Sequence, residues 1–437
     1  MDTVTGFLRD KYGIDESILA LAAEAEAEVE GVFAGLDEIC AYNQYKVANA
    51  FRKSRISEHH FNQSTGYGYN DSGRAAVEKV YSEVFGTESA LVRTQIVNGT
   101  HAISISFSGI LRPGDELIYC TGTPYDTIHG SIGLTGSDMG SLKDFGISYR
   151  QIELKEGGGI DFEALKGIIS PKTRMLCLQR AAGYSDRKAI AIDQIAVWAD
   201  FMKTEFPDII LMVDNCYGEF TSKQEPSEVG VDLIAGSLIK NPGGGLAFSG
   251  GYVCGKADLI EKISYRLTCP GIGGECGLSF GQNRNILQGL YLAPKVVNGA
   301  LKGAVLCARL FEKLGYKVNP AWDEERSDII ETLTLGSADA LIKFCEGVQE
   351  AAPVDSFVRP EPCEMPGYED EVIMAAGAFI QGSSIELSAD GPLRPPYNVF
   401  FQGGLSYEYS KLGVLMAAQK LLEAGLINNL DQSIKHL

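Results

Sequence analysis

Hydrophobic and polar residues follow two different patterns along the chain. In residues 1 to about 60, apolar positions recur every three or four residues, as in ESILALAAEAEAEVEGVFAGLDEIC, which predicts helices. From residue 61 to about 290, short apolar runs alternate with amphipathic stretches of helical period. Strands that alternate with helices predict an α/β fold, with a mostly parallel sheet flanked by helices on both faces.

Seven apolar runs in this middle part are the predicted strands of that sheet. They are ALVRTQIV, DELIYC, ISYRQIEL, RMLCLQ, IILMVD, DLIAGS and GGYVC. Only a glycine-rich segment separates the last two, which is too short for a helical crossover. This last pair of strands is therefore expected to be antiparallel.

The last third of the chain predicts a second, smaller α/β unit. A long helix, PKVVNGALKGAVLCARLFEKLG, leads into it, and the helix YEYSKLGVLMAAQKLLEAGL closes it. The pattern thus divides the chain into a helical N-terminal arm (1–60), a large domain (61–290) and a small C-terminal domain (291–437).

Composition and charge narrow the class of protein. The 437 residues are 45% hydrophobic and 22% charged, as in ordinary globular proteins. A formal charge of −19 makes a phosphate backbone an unfavourable partner, so we expect no nucleic acid. No apolar run approaches the roughly 18 residues that span a bilayer, and the first residues lack the features of a signal peptide, so we expect no membrane association.

The cysteines indicate a reducing compartment. All 10 are scattered without a CxxC pair, and several lie in apolar runs such as RMLCLQ and GGYVCG. That distribution is typical of buried free thiols and predicts a cytoplasmic protein. No metal site is expected, because the adjacent His59 and His60 would point apart on regular structure.

Candidate chemistry lies where three predicted strands end. IILMVD ends with Asp214, DLIAGS ends with Ser237 and leads to Lys240, and ALVRTQIV leads to a helix that opens with Gly99 and Thr100. Taken singly, each is more often a turn, cap or solvated residue. Ligands of open parallel sheets bind beyond the carboxyl ends of the strands, however, so these residues are expected to lie together.

Together they meet the requirements of pyridoxal 5′-phosphate. This cofactor needs a lysine for its Schiff base, for which Lys240 is available, and a carboxylate that keeps its pyridine nitrogen protonated, for which Asp214 is available. Its phosphate needs backbone N–H groups at a helix N-terminus together with hydroxyls, which Gly99, Thr100 and Ser237 offer. The glycines after Lys240 would let the backbone approach a planar ring.

The segment VDNCYGEF, with DLIAGSLIKNPGGGLAFSGGYVCG, resembles the pyridoxal-phosphate enzymes of the aspartate-aminotransferase fold. More narrowly, it is similar to the methionine γ-lyase/cystathionine β-lyase-like proteins called aluminium resistance proteins. The resemblance covers nearly the whole chain, including FNQSTGYGYNDSGR and RPPYNVFFQGGLSYEY. It implies the transferase fold type I and a carbon–sulfur lyase that eliminates a thiol from a sulfur amino acid such as cystathionine, cysteine or methionine.

The resemblance also implies further site residues and an oligomer. Tyr125 would stack on the cofactor ring and assist the leaving group, although after Pro124 it could equally be a turn residue. Tyr67, Tyr69 and Arg74 are available to reach the phosphate of a neighbouring subunit, but the family's Tyr-x-Arg spacing is absent. Arg74 could instead be only a residue in the first turn of a helix. Shared sites of this kind imply a homodimer or a homotetramer.

The substrate carboxylate requires an arginine, because only a guanidinium offers a planar bidentate fork. Arg394 in DGPLRPPY is the first candidate, on family position, and Arg180 at the end of a predicted strand is the second. Either could instead form a surface ion pair. For Lys240, a nearby cation and partial burial lead us to expect a lowered amine pKa.

Two alternatives fit the same residues. The first is another reaction on the same cofactor, namely transamination, γ-replacement or desulfuration, since Asp214 and Lys240 serve all of them. The second is a pyridoxal-phosphate-binding stress protein with little turnover. A nucleotide-binding protein is disfavoured, because the chain contains no GxxxxGK[ST].

Overall fold

The computed structural model describes residues 3–136, 139–185, 187–365, 368 and 370–427. The chain forms two compact units: a large unit, Tyr42–Pro294, and a small unit that combines Met1–Ala41 with Lys295–Leu437. These limits differ from the predicted 1–60, 61–290 and 291–437. The sequence of an amphipathic helix shows which face is apolar but not which part of the protein covers that face. The unit to which such a helix belongs therefore depends on tertiary packing.

The helices of the described residues carry the labels α1 to α11. They are α1 (Thr3–Tyr12), α2 (Glu16–Lys53), α3 (Ser72–Val84), α4 (Gly99–Ile110), α5 (His129–Ile132), α6 (Phe162–Ile168), α7 (Ile192–Glu205), α8 (Ala257–Leu267), α9 (Asn283–Lys313), α10 (Ala338–Ala351) and α11 (Tyr407–Glu423). The strands are β1 (Ser89–Arg93), β2 (Glu116–Tyr119), β3 (Ser148–Gln151), β4 (Thr173–Gln179), β5 (Ile210–Asp214), β6 (Leu233–Ser237), β7 (Gly251–Gly255), β8 (Lys317–Asn319), β9 (Ile330–Thr334), β10 (Val372–Ala375), β11 (Ser388–Pro392) and β12 (Asn398–Gln402).

The seven predicted strands of the large unit form one sheet in the order β1-β7-β6-β5-β4-β2-β3. Neighbours from β6 to β3 run parallel, whereas β7 is antiparallel to both β6 and β1. The predicted α/β fold with a mostly parallel seven-stranded sheet is therefore confirmed, and so is the antiparallel last pair. The carboxyl ends of β2, β4, β5 and β6 consequently meet at one edge.

Burial explains why β5 is a continuous apolar run. All five of its residues are buried, as expected for a central parallel strand that is covered on both faces. The neighbouring helix α4 begins after Asn98, whose side chain accepts a 2.7 Å hydrogen bond from the His101 N–H. This cap fixes the helix N-terminus beside the sheet edge that carries Asp214.

The small unit has its own sheet and its own core. Its five strands are all antiparallel, in the order β10-β11-β12-β9-β8. The faces of α10 and α11 pack with that sheet in a cluster that includes Phe344, Phe401 and Leu415. The small domain was predicted as α/β, and the structure adds that its sheet is antiparallel.

Two negative findings apply to the described ranges. No helix there is long and apolar enough to cross a bilayer. No group of three or more His, Cys, Asp or Glu side chains in the same residues is placed to hold a metal ion.

Candidate active site

The N-terminus of α4 lies against the carboxyl end of β6. A methyl group added to Gly99 would lie 3.3 Å from Ser237 Cβ and 3.2 Å from Cys216 Sγ. Ser237 is buried at the end of β6, and its Oγ accepts a 3.4 Å hydrogen bond from the Ile239 N–H. The sheet thus brings the Ser237 hydroxyl and the N-terminus of α4 together, as predicted. A side chain at position 99 would fill the space between them.

Asp214 is buried at the end of β5, the strand next to β6. Its Oδ1 accepts a 3.1 Å hydrogen bond from the Cys216 N–H. Burial raises the pKa of Asp214, and the positive charge of Lys240 acts in the opposite direction. A carboxylate held in this way interacts strongly with any cation nearby, because little water screens it.

Lys240 follows β6 by three residues and extends over an aromatic ring. Its Nζ lies 4.0 Å from the centroid of the Tyr217 ring, within range of a cation–π contact. Burial alone would lower the pKa of Lys240, but the acidic groups of Cys216, Tyr217, Asp214 and Glu219 outweigh burial and raise it. The expected lowering is therefore wrong for the protein chain alone, because its acidic groups decide the balance.

The loop that directly follows β5 has an unusual backbone conformation. Tyr217 has φ 70°, in the left-handed region that bulky residues seldom adopt. Asn241 Nδ2 donates 3.0 Å hydrogen bonds to the carbonyl oxygens of Tyr217 and Glu219, which ties this loop to the residue after Lys240. The conformation places the tyrosine ring beneath the lysine amine.

Thr100 and Tyr125 lie near the ends of β2 and β4. Thr100 Oγ1 is 2.7 Å from Thr127 Oγ1, in the segment that follows β2. The Tyr125 N–H donates a 2.8 Å hydrogen bond to Oε1 of Gln179, the last residue of β4. The Tyr125 ring lies 5.7 Å from that of Tyr184. Its position at this edge is compatible with ring stacking, and the role stays a prediction.

The contacts of Arg180 favour a structural role over substrate binding. This side chain is fully buried, with 0% exposure. Its guanidinium donates to Asn215 Oδ1 at 3.0 Å and to the Gly218 carbonyl at 2.8 Å, and it pairs with Glu225 at 3.7 Å. A substrate carboxylate would have to displace several protein acceptors. The structure therefore gives no support to Arg180 as a carboxylate ligand.

Replacing Arg180 by alanine should lower the free energy of unfolding by about 3–5 kcal/mol, because Glu225 would be left buried without its countercharge. Urea unfolding of the two proteins measures the difference. Arg174, at the exposed start of the same strand, is the matched control, and R174A should change stability by less than about 0.5 kcal/mol. Equal stability of R180A and wild type would contradict the structural role.

Arg74 and Tyr67 have contrasting environments. Arg74 is buried, and its guanidinium donates to the carbonyls of Gly66, Glu275 and Gly277, so it fixes two loops of the same chain. Tyr67, in contrast, is 79% exposed. Arg74 was predicted to reach the phosphate of a neighbouring subunit, but its guanidinium is held by backbone carbonyls of its own chain. The role predicted for Tyr67 stays a prediction.

Arg394 belongs to the small unit and follows β11. It is half-exposed and forms a 2.8 Å ion pair with Asp370. An exposed ion pair exchanges partners at little cost, so this guanidinium is not locked as Arg180 is. Its proposed carboxylate contact stays a prediction.

Sequence reasoning missed four residues of this region: Gln179, Arg187, Tyr217 and Glu219. The positive charge of Arg187 opposes the rise in the pKa of Asp214. Arg187 Nη2 donates a 2.8 Å hydrogen bond to the Gln179 carbonyl. Tyr217 and Glu219 follow Asp214 within five residues, so the strand-end rule that selected Asp214 would also have flagged them. Arg187 gave no comparable signal.

The residues present suit pyridoxal phosphate. The groups at one edge are a helix N-terminus, the Thr100 and Ser237 hydroxyls, the Asp214 carboxylate and the Lys240 amine. They are the groups that the cofactor's phosphate, ring nitrogen and aldehyde require. The bare Gly99 leaves room at that helix N-terminus.

Comparison with known proteins points in the same direction. The methionine gamma-lyase family model matches residues 18–422. The uncharacterized protein YnbB of Bacillus subtilis is 50% identical over 413 residues, which is 94% of this chain and 98% of that protein. The crystal structure of a carbon–sulfur lyase involved in aluminum resistance from Clostridium novyi is 50% identical, with TM-score 0.92, covering 96% of this chain and 100% of that one.

A more distant structure shows the fold alone. The pyridoxal-5′-phosphate-dependent protein YhfS of Escherichia coli has TM-score 0.60 at 16% identity, covering 89% of this chain and 97% of that one. The seven-stranded sheet and the separate small unit are those of the fold type I enzymes, as predicted.

Proposed function

Because this chain belongs to the methionine gamma-lyase family, we propose that it is a pyridoxal-phosphate-dependent carbon–sulfur lyase that eliminates a thiol from a sulfur amino acid. One observation carries the proposal: Asp214, Ser237 and the N-terminus of α4 converge at one sheet edge, with Lys240 three residues beyond it. The names of the relatives agree with carbon–sulfur chemistry.

When bound, pyridoxal phosphate would supply an electron-accepting ring that stabilises negative charge at the substrate α-carbon. The chain would provide the groups around it. Lys240 Nζ would hold the cofactor covalently and, once released, would accept the α-proton of the substrate. The Asp214 carboxylate would keep the proton on the ring nitrogen. Gly99, Thr100 and Ser237 would donate hydrogen bonds to the phosphate.

Tyr125 and Arg394 complete the proposal. We assign the Tyr125 hydroxyl to protonation of the leaving thiolate, since its segment lies beside Gln179 at the carboxyl end of β4. We assign Arg394 to the substrate carboxylate, because its ion pair with Asp370 is exposed and exchangeable.

Product analysis tests the function. The purified protein with pyridoxal phosphate would be incubated with L-cystathionine, L-cysteine or L-methionine, and ammonia, keto acid and thiol would be quantified. Equimolar release of all three supports elimination. An amino-acid product formed from an added keto acid would instead identify a transaminase, and no turnover of any substrate would leave only cofactor binding.

We also propose a homodimer or homotetramer whose subunits share sites. Tyr67 and Tyr69 are 79% and 70% exposed, so two neighbouring aromatic side chains are available for contact with another subunit. Light scattering of the purified protein gives the mass directly, and a mass of 47.1 kDa, that of one chain, would refute the proposal. A cytoplasmic location is proposed because all ten cysteines are free thiols.

Replacing Gly99 by alanine should weaken pyridoxal phosphate binding about tenfold, or by about 1.4 kcal/mol. The added methyl group would press on Ser237 and Cys216 and move the helix N-terminus away from the phosphate. Absorbance titration with the cofactor measures the affinity. Gly167, exposed in α6 with open space around it, is the control, and G167A should bind as wild type does. Unchanged affinity of G99A would place the phosphate elsewhere.

A further inference from the structure

A second buried carboxyl group belongs to Glu219, two residues after Tyr217, whose ring centroid lies 4.0 Å from Lys240 Nζ. The Glu219 side chain has 0% exposure. Its Oε1 accepts a 2.6 Å hydrogen bond from the Tyr252 hydroxyl, whereas its Oε2 is buried and no hydrogen bond to it is present among the described residues. A fully buried carboxyl group with one oxygen unsatisfied is costly, which calls for a reason beyond packing.

The Glu219–Tyr252 pair contacts the strand that leads to Lys240. A methyl group added to Gly236, in β6, would lie 2.7 Å from the Tyr252 hydroxyl oxygen and 2.8 Å from Glu219 Oε1. The Glu219 backbone also contacts the residue that follows Lys240, since the Glu219 carbonyl accepts a 3.0 Å hydrogen bond from Asn241 Nδ2. Glu219 is therefore connected to both flanks of residues 237–240.

We propose that Glu219 is a positioning residue for Lys240, whose buried carboxylate, held by Tyr252, stabilises the positive charge of the lysine amine. The inference rests on the proposed function, since Lys240 is there the group that bonds the cofactor and moves the proton. Glu219 acts on the amine through its charge and need not touch the cofactor.

The pKa values of Glu219 and Lys240 determine the pH range in which their charges attract each other. Burial raises the pKa of Glu219 to about 8, and the Tyr252 hydrogen bond opposes that rise. Glu219 is consequently ionised over the alkaline range in which Lys240, with its raised pKa, loses its proton. The ionisable groups that face Glu219 from the surrounding elements are Tyr81, Cys216, Glu225, Lys240 and Tyr252.

The sign of the effect follows from electrostatics. An ionised Glu219 favours the charged form of Lys240, so a neutral residue at 219 should make the amine easier to deprotonate. In Glu219→Gln, the amide oxygen can still accept from Tyr252, and only the charge is lost. We expect the titration midpoint of Lys240 to fall by about one pH unit, the lower end of the range for a nearby opposite charge.

The measurement uses the full-length chain, freed of bound aldehyde with hydroxylamine. Trace acetylation by acetic anhydride across a pH series, followed by peptide mass mapping, reports the fraction of Lys240 that is uncharged at each pH. Tyr252→Phe is the companion variant, because it keeps the carboxylate but removes the hydrogen bond that favours its ionised form. Its Lys240 midpoint should therefore fall less than that of Glu219→Gln. Glu219→Met offers a second neutral variant of similar length in case Glu219→Gln does not fold.

The expected result is a lowered midpoint in the neutral variants and a smaller fall in Tyr252→Phe. A wild-type midpoint in the neutral variants, or an equal fall in Tyr252→Phe, would overturn the proposal. Since the labelling requires neither cofactor nor substrate, failure of the proposed lyase activity would show in the product analysis and leave this titration unaffected.

Discussion

Replacing Lys240 by alanine is expected to abolish covalent attachment of pyridoxal phosphate and to lower lyase activity by at least about 10³-fold, because one side chain supplies both the bond to the cofactor and the proton acceptor. Borohydride reduction of the protein loaded with cofactor, followed by peptide mass mapping, locates the adduct. In wild type, the pyridoxyl group should be on the peptide that contains Lys240. In K240A, that adduct should be absent.

Lys256 provides the matched control for this experiment. It follows β7 in the same sheet and forms a 2.6 Å ion pair with Asp232. K256A should retain the adduct on Lys240 and full activity, since Lys256 lies at the amino end of β6 and not at its carboxyl end. A stable adduct on another lysine in wild type, or a protein that takes up no cofactor, would remove the basis of the proposed chemistry.

Replacing Asp214 by asparagine should reduce activity by about 10²- to 10³-fold while leaving the adduct on Lys240 detectable. Asparagine has nearly the same shape and its oxygen can still accept from the Cys216 N–H, but it lacks the charge that would hold a proton on the cofactor ring nitrogen. Steady-state rates and the cofactor absorption spectrum of wild type and D214N, compared at equal cofactor occupancy, measure the effect.

Asp232 is a buried aspartate of the same sheet and the control for D214N. It precedes β6, accepts a 2.8 Å hydrogen bond from the Leu211 N–H and pairs with two lysines. D232N should lose stability but keep the activity per folded molecule, because its charge lies at the opposite end of the strands. Wild-type rates in D214N would show that this carboxylate does not support the ring.

The strands and the main site residues could be predicted because their signals are local. An apolar run such as IILMVD is long enough to mark a strand, and a polar residue at its end falls at the ligand-binding edge whatever the rest of the fold does. Asp214, Ser237 and Gly99 were found in this way, and the structure brings them together.

The groups that the arginine side chains contact could not be predicted from the local sequence pattern. Arg180 and Arg74 were both interpreted as ligands of anions, yet each donates chiefly to groups of its own chain that lie up to 203 residues away. Which carbonyls a guanidinium meets depends on how loops are packed, and nothing in the neighbouring sequence encodes that.

By itself, the sequence determined the alternation of strands and helices, the sheet edge proposed as the active site and the lysine and aspartate proposed to act there, because these follow from periodicity and from the polar residues at strand ends. Only the tertiary structure decided the division into two units, the burial of Arg180 among acceptors of its own chain and the acidic environment of Lys240. Burial and charge in a folded protein are set by residues from several elements at once, so Tyr217 and Glu219 acquire their influence on Lys240 only when the chain is packed.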